Sequence, residues 1–209
     1  ALRGMGAFEL EDEVAFAGYG AAMPQDFERR PDGSFVVAAQ LDGSPDEWVV
    51  RSRPARDGAA WRTIDRYQLS GNAYGLAPRA IVPTNDGRLL IAGLGVRGAG
   101  SDDYLWIERW QNPRGRWRTF AYQLTPGATS VAQDAAGTRN GVAVLGVGYA
   151  TGAAYLMLRE GNDGGSRWQT ALQVSGVGDP WSARLAVKES SAAVTALVQG
   201  AAVVLGCRR

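Results

Sequence analysis

The sequence contains no histidine, one cysteine and one lysine among its 209 residues. The absence of histidine excludes the Ser-His-Asp and Cys-His catalytic arrangements and removes the most common zinc ligand. The lone cysteine, Cys207, cannot form a disulfide within the chain. No apolar run approaches the roughly 18 residues of a membrane-spanning helix. Carboxylates, arginines and tyrosines are therefore the side chains left to carry chemistry.

The charge balance is also close to neutral, with a formal net charge of +1. This gives no electrostatic reason to expect nucleic acid or an anionic membrane as a partner. The basic residues are arginines apart from Lys188, which indicates the codon usage of a GC-rich bacterial genome. Few cysteines with many tryptophans and glycines fit a secreted or periplasmic protein, although a cytoplasmic location fits equally. We expect a monomer that needs no cofactor.

Three markers recur along the chain at a period of about 54 residues. A glycine opens an apolar run at Gly33, Gly87 and Gly141. A tryptophan begins a strand of alternating polarity at Trp61, Trp117 and Trp168. An arginine stands three residues after a large apolar residue at Arg51, Arg109, Arg159 and Arg208. Repeats of this length are typical of propellers and solenoids.

Each repeat contains four short strand patterns separated by turn residues, and no helical periodicity is evident. The sequence therefore predicts an all-β fold, a four-bladed β-propeller with four antiparallel strands in each blade. One domain, 1–209, holds blades at about 20–70, 74–124, 128–174 and 179–209. The last blade lacks a fourth strand, and the alternating segment 7–16 is predicted to supply it. Closing the ring in this way protects the sheet edges.

The segment 162–168 resembles an Asp-box, also called a BNR repeat, which has the form S-x-D-x-G-x-x-W. Three of its positions match the motif, namely Asp163, Gly165 and Trp168. Gly161 replaces the serine. The copy ending at Trp61 is one residue shorter, and the copy ending at Trp117 is taken to have lost the aspartate.

The resemblance is to sialidase-like propellers, and it implies a fold more than an activity. In such families the box is structural, because its aspartate binds turn amides and its tryptophan packs between sheets. Sialidases themselves use a six-bladed propeller, an arginine triad and a Tyr/Glu nucleophile pair. Four repeats cannot be matched to those positions residue by residue, so no catalytic residue follows from the resemblance.

Repeat symmetry separates structural residues from candidate functional ones. The arginines present in every repeat are predicted to bridge blades or cover tryptophan faces. Polar residues found in one repeat and facing the central channel are better candidates. Alignment on the glycines places at similar heights Gln25 or Asp26, Arg79, Thr129 or Ser130, and Arg184.

A channel mouth holding Asp26, Arg79 and Arg184 would suit an anionic or polyhydroxylated ligand. The aromatic residues available for stacking on that ligand are Trp181, Tyr19 and Tyr74. The alternative is an ion network in which these groups satisfy one another.

Asp26 and Glu28 lie two residues apart on one strand face, and such a pair could act as general acid and base. Surface acids often show the same spacing, so catalysis is a secondary hypothesis. Calcium could bind at the axis through aspartate and carbonyl oxygens. No Asp-rich loop with ligand spacing supports it, and no metal is predicted.

Three functions remain open from the sequence. The first is a binding module that recognises a glycan or small polar or anionic ligand at one channel mouth. The second is a carbohydrate-active or related enzyme that uses carboxylate, arginine and tyrosine chemistry there. The third is a structural or protein-interaction scaffold.

Overall fold

The structure is a computed structural model that describes residues 16–56, 58–70, 73–97, 104–122, 129–138, 141–150, 153–161, 169–175, 177–188, 191–198 and 201–208. For some residues of the later strands only the backbone is described. All regular secondary structure in these ranges is β-strand.

The described strands form four antiparallel sheets, each built from strands that are consecutive in the chain. The first sheet contains β1 (Ala21–Arg29), β2 (Phe35–Asp42), β3 (Glu47–Arg53) and β4 (Arg62–Tyr67). The second contains β5 (Ala73–Pro83), β6 (Leu89–Arg97), β7 (Tyr104–Gln111) and β8 (Trp117–Tyr122). The third contains β9 (Thr129–Thr138), β10 (Gly141–Ala150), β11 (Ala153–Gly161) and β12 (Gln169–Ser175). The fourth contains β13 (Val177–Lys188), β14 (Ser191–Val198) and β15 (Ala201–Arg208).

The prediction of an all-β fold made of repeated antiparallel four-strand sheets is confirmed. The first strands of successive sheets pack side by side, β1 against β5, β5 against β9 and β9 against β13. Among the described strands, β1 and β13 do not show comparable packing. The segment 7–16, which is expected to close the ring, lies outside the described residues except for Phe16. Ring closure and the number of blades therefore stay predictions.

The recurring glycines serve the turns between the first two strands of a sheet. Gly33 and Gly87 have φ values of 84° and 79°, in the left-handed region that glycine enters without steric cost. Each turn is closed by a backbone hydrogen bond, from Arg30 N to Ser34 O at 2.8 Å and from Thr84 N to Arg88 O at 2.9 Å. This geometry explains the glycine marker in the first two repeats.

The hydrophobic core lies between neighbouring sheets. The interface of the first and second sheets buries Val36, Trp48 and Val50 against Ile81, Ile91 and Ile107. The interface of the second and third sheets buries Leu90, Ala92 and Trp106 against Ala132, Val142 and Val144. The second sheet takes part in both interfaces and is thus covered on both faces, so its strands are apolar on both sides.

A tryptophan from one sheet packs onto a glycine of the next. Trp106 of β7 lies over Gly146 of β10, where an added Cβ would come within 1.7 Å of a ring carbon. Trp48 of β3 lies over Gly93 of β6, where an added Cβ would come within 2.9 Å of the indole ring and within 2.2 Å of the Ala77 carbonyl oxygen. Both indoles are fully buried. Glycine is required at position 146 because the ring occupies the space of a side chain, and at position 93 because the neighbouring backbone and the ring both occupy it.

An ion pair also joins the first two sheets. Arg109 Nη2 and Nε lie 2.6 and 2.8 Å from the two carboxylate oxygens of Asp65 on β4, and both side chains are less than 10% exposed. The guanidinium carbon lies 4.1 Å from the ring centroid of Tyr67 and 5.4 Å from that of Trp117. Arg109 therefore bridges sheets and covers a tryptophan, the role predicted for the recurrent arginines.

We predict that Gly146→Ala destabilises the protein by about 1–3 kcal/mol, because the new methyl group would overlap the Trp106 ring and force the interface apart. Chemical unfolding in urea measures this change in free energy. Gly137→Ala is the matched control, since a Cβ there meets only ordinary contacts at 3.7 Å and beyond. It should change stability by no more than about 0.5 kcal/mol. Equal effects of the two substitutions would contradict the packing argument.

Candidate functional site

The first strand of each sheet is interrupted by an irregularity in its pairing with the second strand. In β1, β5 and β9 the pairing skips Gln25, Arg79 and Gln133, and in β13 it shifts between Asp179 and Arg184. Such bulges redirect side chains and backbone amides away from the regular ladder. In the four sheets, the position at which pairing resumes holds Asp26, Ala80, Asp134 and Arg184.

The two aspartates at this level satisfy backbone amides of two sheets at once. Asp26 Oδ1 accepts a hydrogen bond from Phe27 N at 2.8 Å, and its Oδ2 accepts one from Ile81 N of the second sheet at 2.6 Å. Asp134 makes the same pair of bonds in the third and fourth sheets, to the amides of Ala135 and Leu185, both at 2.8 Å. Each carboxylate therefore ties two neighbouring inner strands together.

The Asp134 carboxyl has a raised pKa. Burial is the main cause, and the negative charge of Asp26 adds to it, while the two amide hydrogen bonds and Arg184 act in the opposite direction. The contribution from Asp26 shows that the first and third sheets bring their carboxylates within electrostatic range of each other.

Arg79 is the residue that the pairing of β5 with β6 skips, directly before Ala80. Its Nη1 donates to Gln25 Oε1 of the first sheet over a long 3.4 Å. Its Nε is buried and has no hydrogen-bond partner within the described part of the chain. Burial lowers the pKa of the Arg79 guanidinium, and the positive charge of Arg184 lowers it further. Arg79 and Arg184, from the second and fourth sheets, thus influence each other electrostatically, while the joint site predicted for Asp26, Arg79 and Arg184 stays a prediction.

The sequence placed the wrong residues of the third sheet at this level. It offered Thr129 or Ser130, whereas the strand register puts Asp134 opposite Leu145, in the place that Asp26 holds opposite Ala38. The signal was present in the sequence, because Asp134 precedes Gly141 by the same seven residues that separate Asp26 from Gly33.

A cavity of about 710 Å³ opens where β1, β5 and β9 end. Its walls come from the ends of these strands, at residues 28–30, 81–83 and 135–137. These residues follow the two aspartates in the chain, but Asp26 and Asp134 are not among the residues that line the cavity. Glu28 lines it, and burial followed by the charge of Asp26 raises the pKa of the Glu28 carboxyl.

Tyr19 lies on the outer strands of the first sheet. Its hydroxyl donates to the Glu47 carboxylate, which also accepts two 2.6 Å bonds from Arg66. Burial would raise the pKa of Glu47, but the hydrogen bonds from Arg66, Tyr19 and Gln68 outweigh it and the pKa is lowered. Tyr19 therefore fastens the segment before β1 to β3 and β4. The other two predicted stacking residues, Tyr74 and Trp181, have backbone positions in β5 and β13, and their side chains lie outside the described residues.

The degenerate Asp-box of the second sheet keeps its turn acceptor. Asn112 Oδ1 accepts hydrogen bonds from Arg114 N at 2.9 Å and Arg116 N at 3.0 Å. Asn112 stands five residues before Trp117, as Asp163 stands five before Trp168. This copy lacks the aspartate, as the sequence indicated, and asparagine supplies the acceptor oxygen in its place. The other two copies lie wholly or partly outside the described residues.

Comparison with known proteins supports the fold. No protein-family model matches the sequence, and no curated protein matches it either. Among solved structures, the chain is similar to a Hadza microbial sialidase, Hz136, with a TM-score of 0.67 and 12% sequence identity. The match covers 91% of this chain but 45% of the sialidase, so the chain spans less than half of that structure's length. At this identity the likeness establishes a sialidase-like β-propeller fold.

Metal-binding side chains are not clustered in the part of the chain that the structure describes. Across those residues, no group of three or more His, Cys, Asp or Glu side chains is placed to hold a metal ion. Within the same residues, no helix is long and apolar enough to cross a membrane.

We predict that Asp134→Asn becomes more stable relative to the wild type as the pH rises. The folded-state pKa of Asp134 is raised above its unfolded value, so the stability associated with its protonated form is present below the unfolded pKa. That stability is lost as the pH rises through the folded pKa. Urea unfolding of both proteins between about pH 3 and 7 measures the difference.

Asp86→Asn serves as the control of opposite sign. Burial would raise the pKa of the Asp86 carboxyl, but hydrogen bonds from Thr84 and Arg88 lower it overall. The stability that the ionised Asp86 carboxylate contributes is present above its pKa in the unfolded state. That stability is lost as the pH falls through its pKa in the folded state. Parallel pH profiles for the two variants would refute the assignment of Asp134 as a carboxyl destabilised by burial.

Proposed function

We propose that this protein is a small sialidase-like β-propeller that binds an anionic glycan, or a small ligand with the same chemistry, in its central channel. The observation that carries the proposal is the Arg79 guanidinium, whose buried Nε has no hydrogen-bond partner among the described residues and whose Nη1 makes a long 3.4 Å bond to Gln25. Arg184 of the fourth sheet is close enough that its positive charge adds to the effect of burial in lowering the pKa of Arg79. A ligand carboxylate between them would relieve this repulsion.

The environment of Arg79 favours a charged ligand over a neutral one. A half-buried guanidinium loses hydration, and a charged acceptor offsets that loss better than the single long bond to Gln25 does. Arg184 is exposed, so a ligand entering the channel can reach it. Asp26 is held by two backbone amides, which fixes the position of its carboxylate.

Similarity to a sialidase structure adds support for a glycan as the ligand. The matched protein is a sialidase by name, and the two chains share the fold over 91% of the present chain. At 12% identity the similarity does not indicate which sugar binds, so we infer the sugar from the channel residues. An acidic sugar, with a carboxylate for Arg79 and Arg184 and hydroxyls for Gln25 and Asp26, fits the groups present.

Hydrolysis is the second candidate function, and one observation favours it. The Glu28 carboxyl lines the 710 Å³ cavity and has a raised pKa, as a general acid requires. Asp26 is two residues away and contributes to that shift.

We predict that the double variant Arg79→Gln/Arg184→Gln binds N-acetylneuraminic acid at least about tenfold more weakly than the wild type, because it loses both charged hydrogen-bond donors. Isothermal titration calorimetry measures the affinity, with galactose as a neutral comparison. Arg56→Gln, an exposed arginine on the first sheet, is the matched control and should bind like the wild type.

Two outcomes would count against the binding proposal. Equal affinity of wild type and double variant would exclude the channel arginines as the site. Turnover of a fluorogenic glycoside that Glu28→Gln abolishes while binding persists would establish an enzyme instead of a binding module.

We also propose that the ring is closed by residues 7–16, which would add a fourth strand to the last sheet and give four complete blades. The alternation of apolar and acidic residues in this segment supports it. The fourth sheet has three strands among the described residues, whereas the other three sheets have four.

Deleting residues 1–16 should therefore lower the free energy of unfolding severely, by several kcal/mol, since a whole strand and its sheet contacts would be lost. Urea unfolding followed by tryptophan fluorescence measures the effect. As a control, removing Arg209 alone should leave stability unchanged. A loss below about 1 kcal/mol on deletion would contradict closure by this segment.

A further inference from the structure

A second cleft lies at the outer edge of the second sheet and shares no lining residue with the first cavity, although its Gln111 accepts a 3.1 Å hydrogen bond from Arg30 in the wall of that cavity. It has a volume of about 420 Å³, within the range of small-molecule sites. The residues that define its chemistry are Arg88, Arg116, Arg118, Trp110, Phe120 and Asn112. They come from the start of β6, the end of β7, the turn after β7 and β8.

Aromatic rings hold two of the three guanidinium groups in place. The guanidinium carbon of Arg88 lies 5.5 Å from the ring centroid of Trp110, and that of Arg118 lies 4.7 Å from the centroid of Phe120. Trp110 is only 5% exposed, so it offers a rigid support. Cation–π contact restricts the arginine rotamers before any ligand arrives, which lowers the entropy lost on binding.

The cleft has a positive charge. None of its lining residues is a carboxylate. Asp86 lies outside the lining and binds Arg88 Nε at 2.8 Å, which offsets one of the three charges. Arg116 and Arg118 are both exposed. An anionic ligand would meet two solvent-accessible guanidinium groups beside a partly neutralised third.

The repeat itself does not require this arrangement. Counting from the glycine, arginine and tryptophan markers, the residues of the first sheet at the places of Arg88, Trp110, Arg116, Arg118 and Phe120 are Ser34, Ser52, Ala60, Arg62 and Ile64. In the third sheet the places of Arg88 and Trp110 hold Val142 and Glu160. A feature that occurs in one repeat, and that neither neighbour needs for folding, points to a ligand.

We propose that this cleft binds an acidic oligosaccharide, with carboxylate or sulfate groups placed on Arg88, Arg116 and Arg118. The ring faces of Trp110 and Phe120 already carry guanidinium groups, so they are not offered to nucleic acid bases. Base stacking on aromatic faces is a main source of affinity for single-stranded nucleic acid, and its absence favours a glycan. This site is separate from the channel, and it does not depend on the function proposed there.

The test compares the wild type with Arg116→Gln/Arg118→Gln, using a galacturonate hexasaccharide as the carboxylate probe and a heparin hexasaccharide as the sulfate probe. Calorimetry at low salt should show binding of at least one probe, and at least about tenfold weaker binding by the variant. Neutral maltohexaose should bind neither protein. The probe that binds identifies the anionic group.

The controls separate a specific site from general attraction. Arg56→Gln/Arg62→Gln removes two exposed arginines from the first sheet and should leave the affinity unchanged. Phe120→Leu keeps every charge but removes the ring on which the Arg118 guanidinium lies. It should weaken binding by a smaller factor than Arg116→Gln/Arg118→Gln does. Arg79→Gln/Arg184→Gln should also bind these probes normally, which distinguishes this cleft from the channel. Urea unfolding checks that each variant is folded.

The proposal is overturned if neither acidic probe binds, or if the variant binds as well as the wild type. It is also overturned if single-stranded oligothymidylate binds as tightly as the acidic sugars and loses affinity in the same variant. That result would show a site for anionic polymers in general.

Discussion

The structure depends on close contact between the faces of neighbouring sheets. A sheet in this fold has no helix to cover it, so the next sheet must supply the cover. The closest contacts place an indole ring onto a glycine backbone, as Trp106 does on Gly146. Since the ring fills the space that a side chain would need, the spacing of the two sheets is fixed by one residue pair. The remaining interface residues then pack at the distance that this pair sets.

Several polar groups between the sheets are paired across them. The bulges in the inner strands turn backbone amides out of the ladder, and Asp26 and Asp134 each satisfy one amide of their own sheet and one of the next. Asp65 and Arg109 form a similar link between outer strands. The pairing is incomplete, because the buried Arg79 Nε has no hydrogen-bond partner among the described residues, and the same holds for Arg30 Nε and Trp48 Nε1.

The repeat period could be read from the sequence, whereas the strand register and the contacts between distant residues could not. The glycine spacing located the strand repeats, because a turn with positive φ admits little else. In the third sheet it led to Thr129 or Ser130 instead of Asp134, although Asp134 stands as far before Gly141 as Asp26 stands before Gly33. Tyr19 lies on the outer strands because its hydroxyl binds Glu47, a contact between residues 28 apart that no local pattern encodes. Asn112 was passed over because a match by residue type ignored that its oxygen serves as well as that of aspartate.

The need of each sheet face for a covering neighbour also applies to the first and the last sheets. Ile81 and Leu89 of the second sheet are buried against the first, being 2% and 0% exposed. Their counterparts one repeat earlier are Phe27 and Phe35, which stack on each other at 5.5 Å, and Phe27 is 54% exposed. The first sheet thus presents the kind of face that is covered elsewhere. The last sheet carries an exposed large apolar residue too, Val204 at 72%. Closing the ring would bring these two sheets together. Ring closure would therefore also bury Phe27.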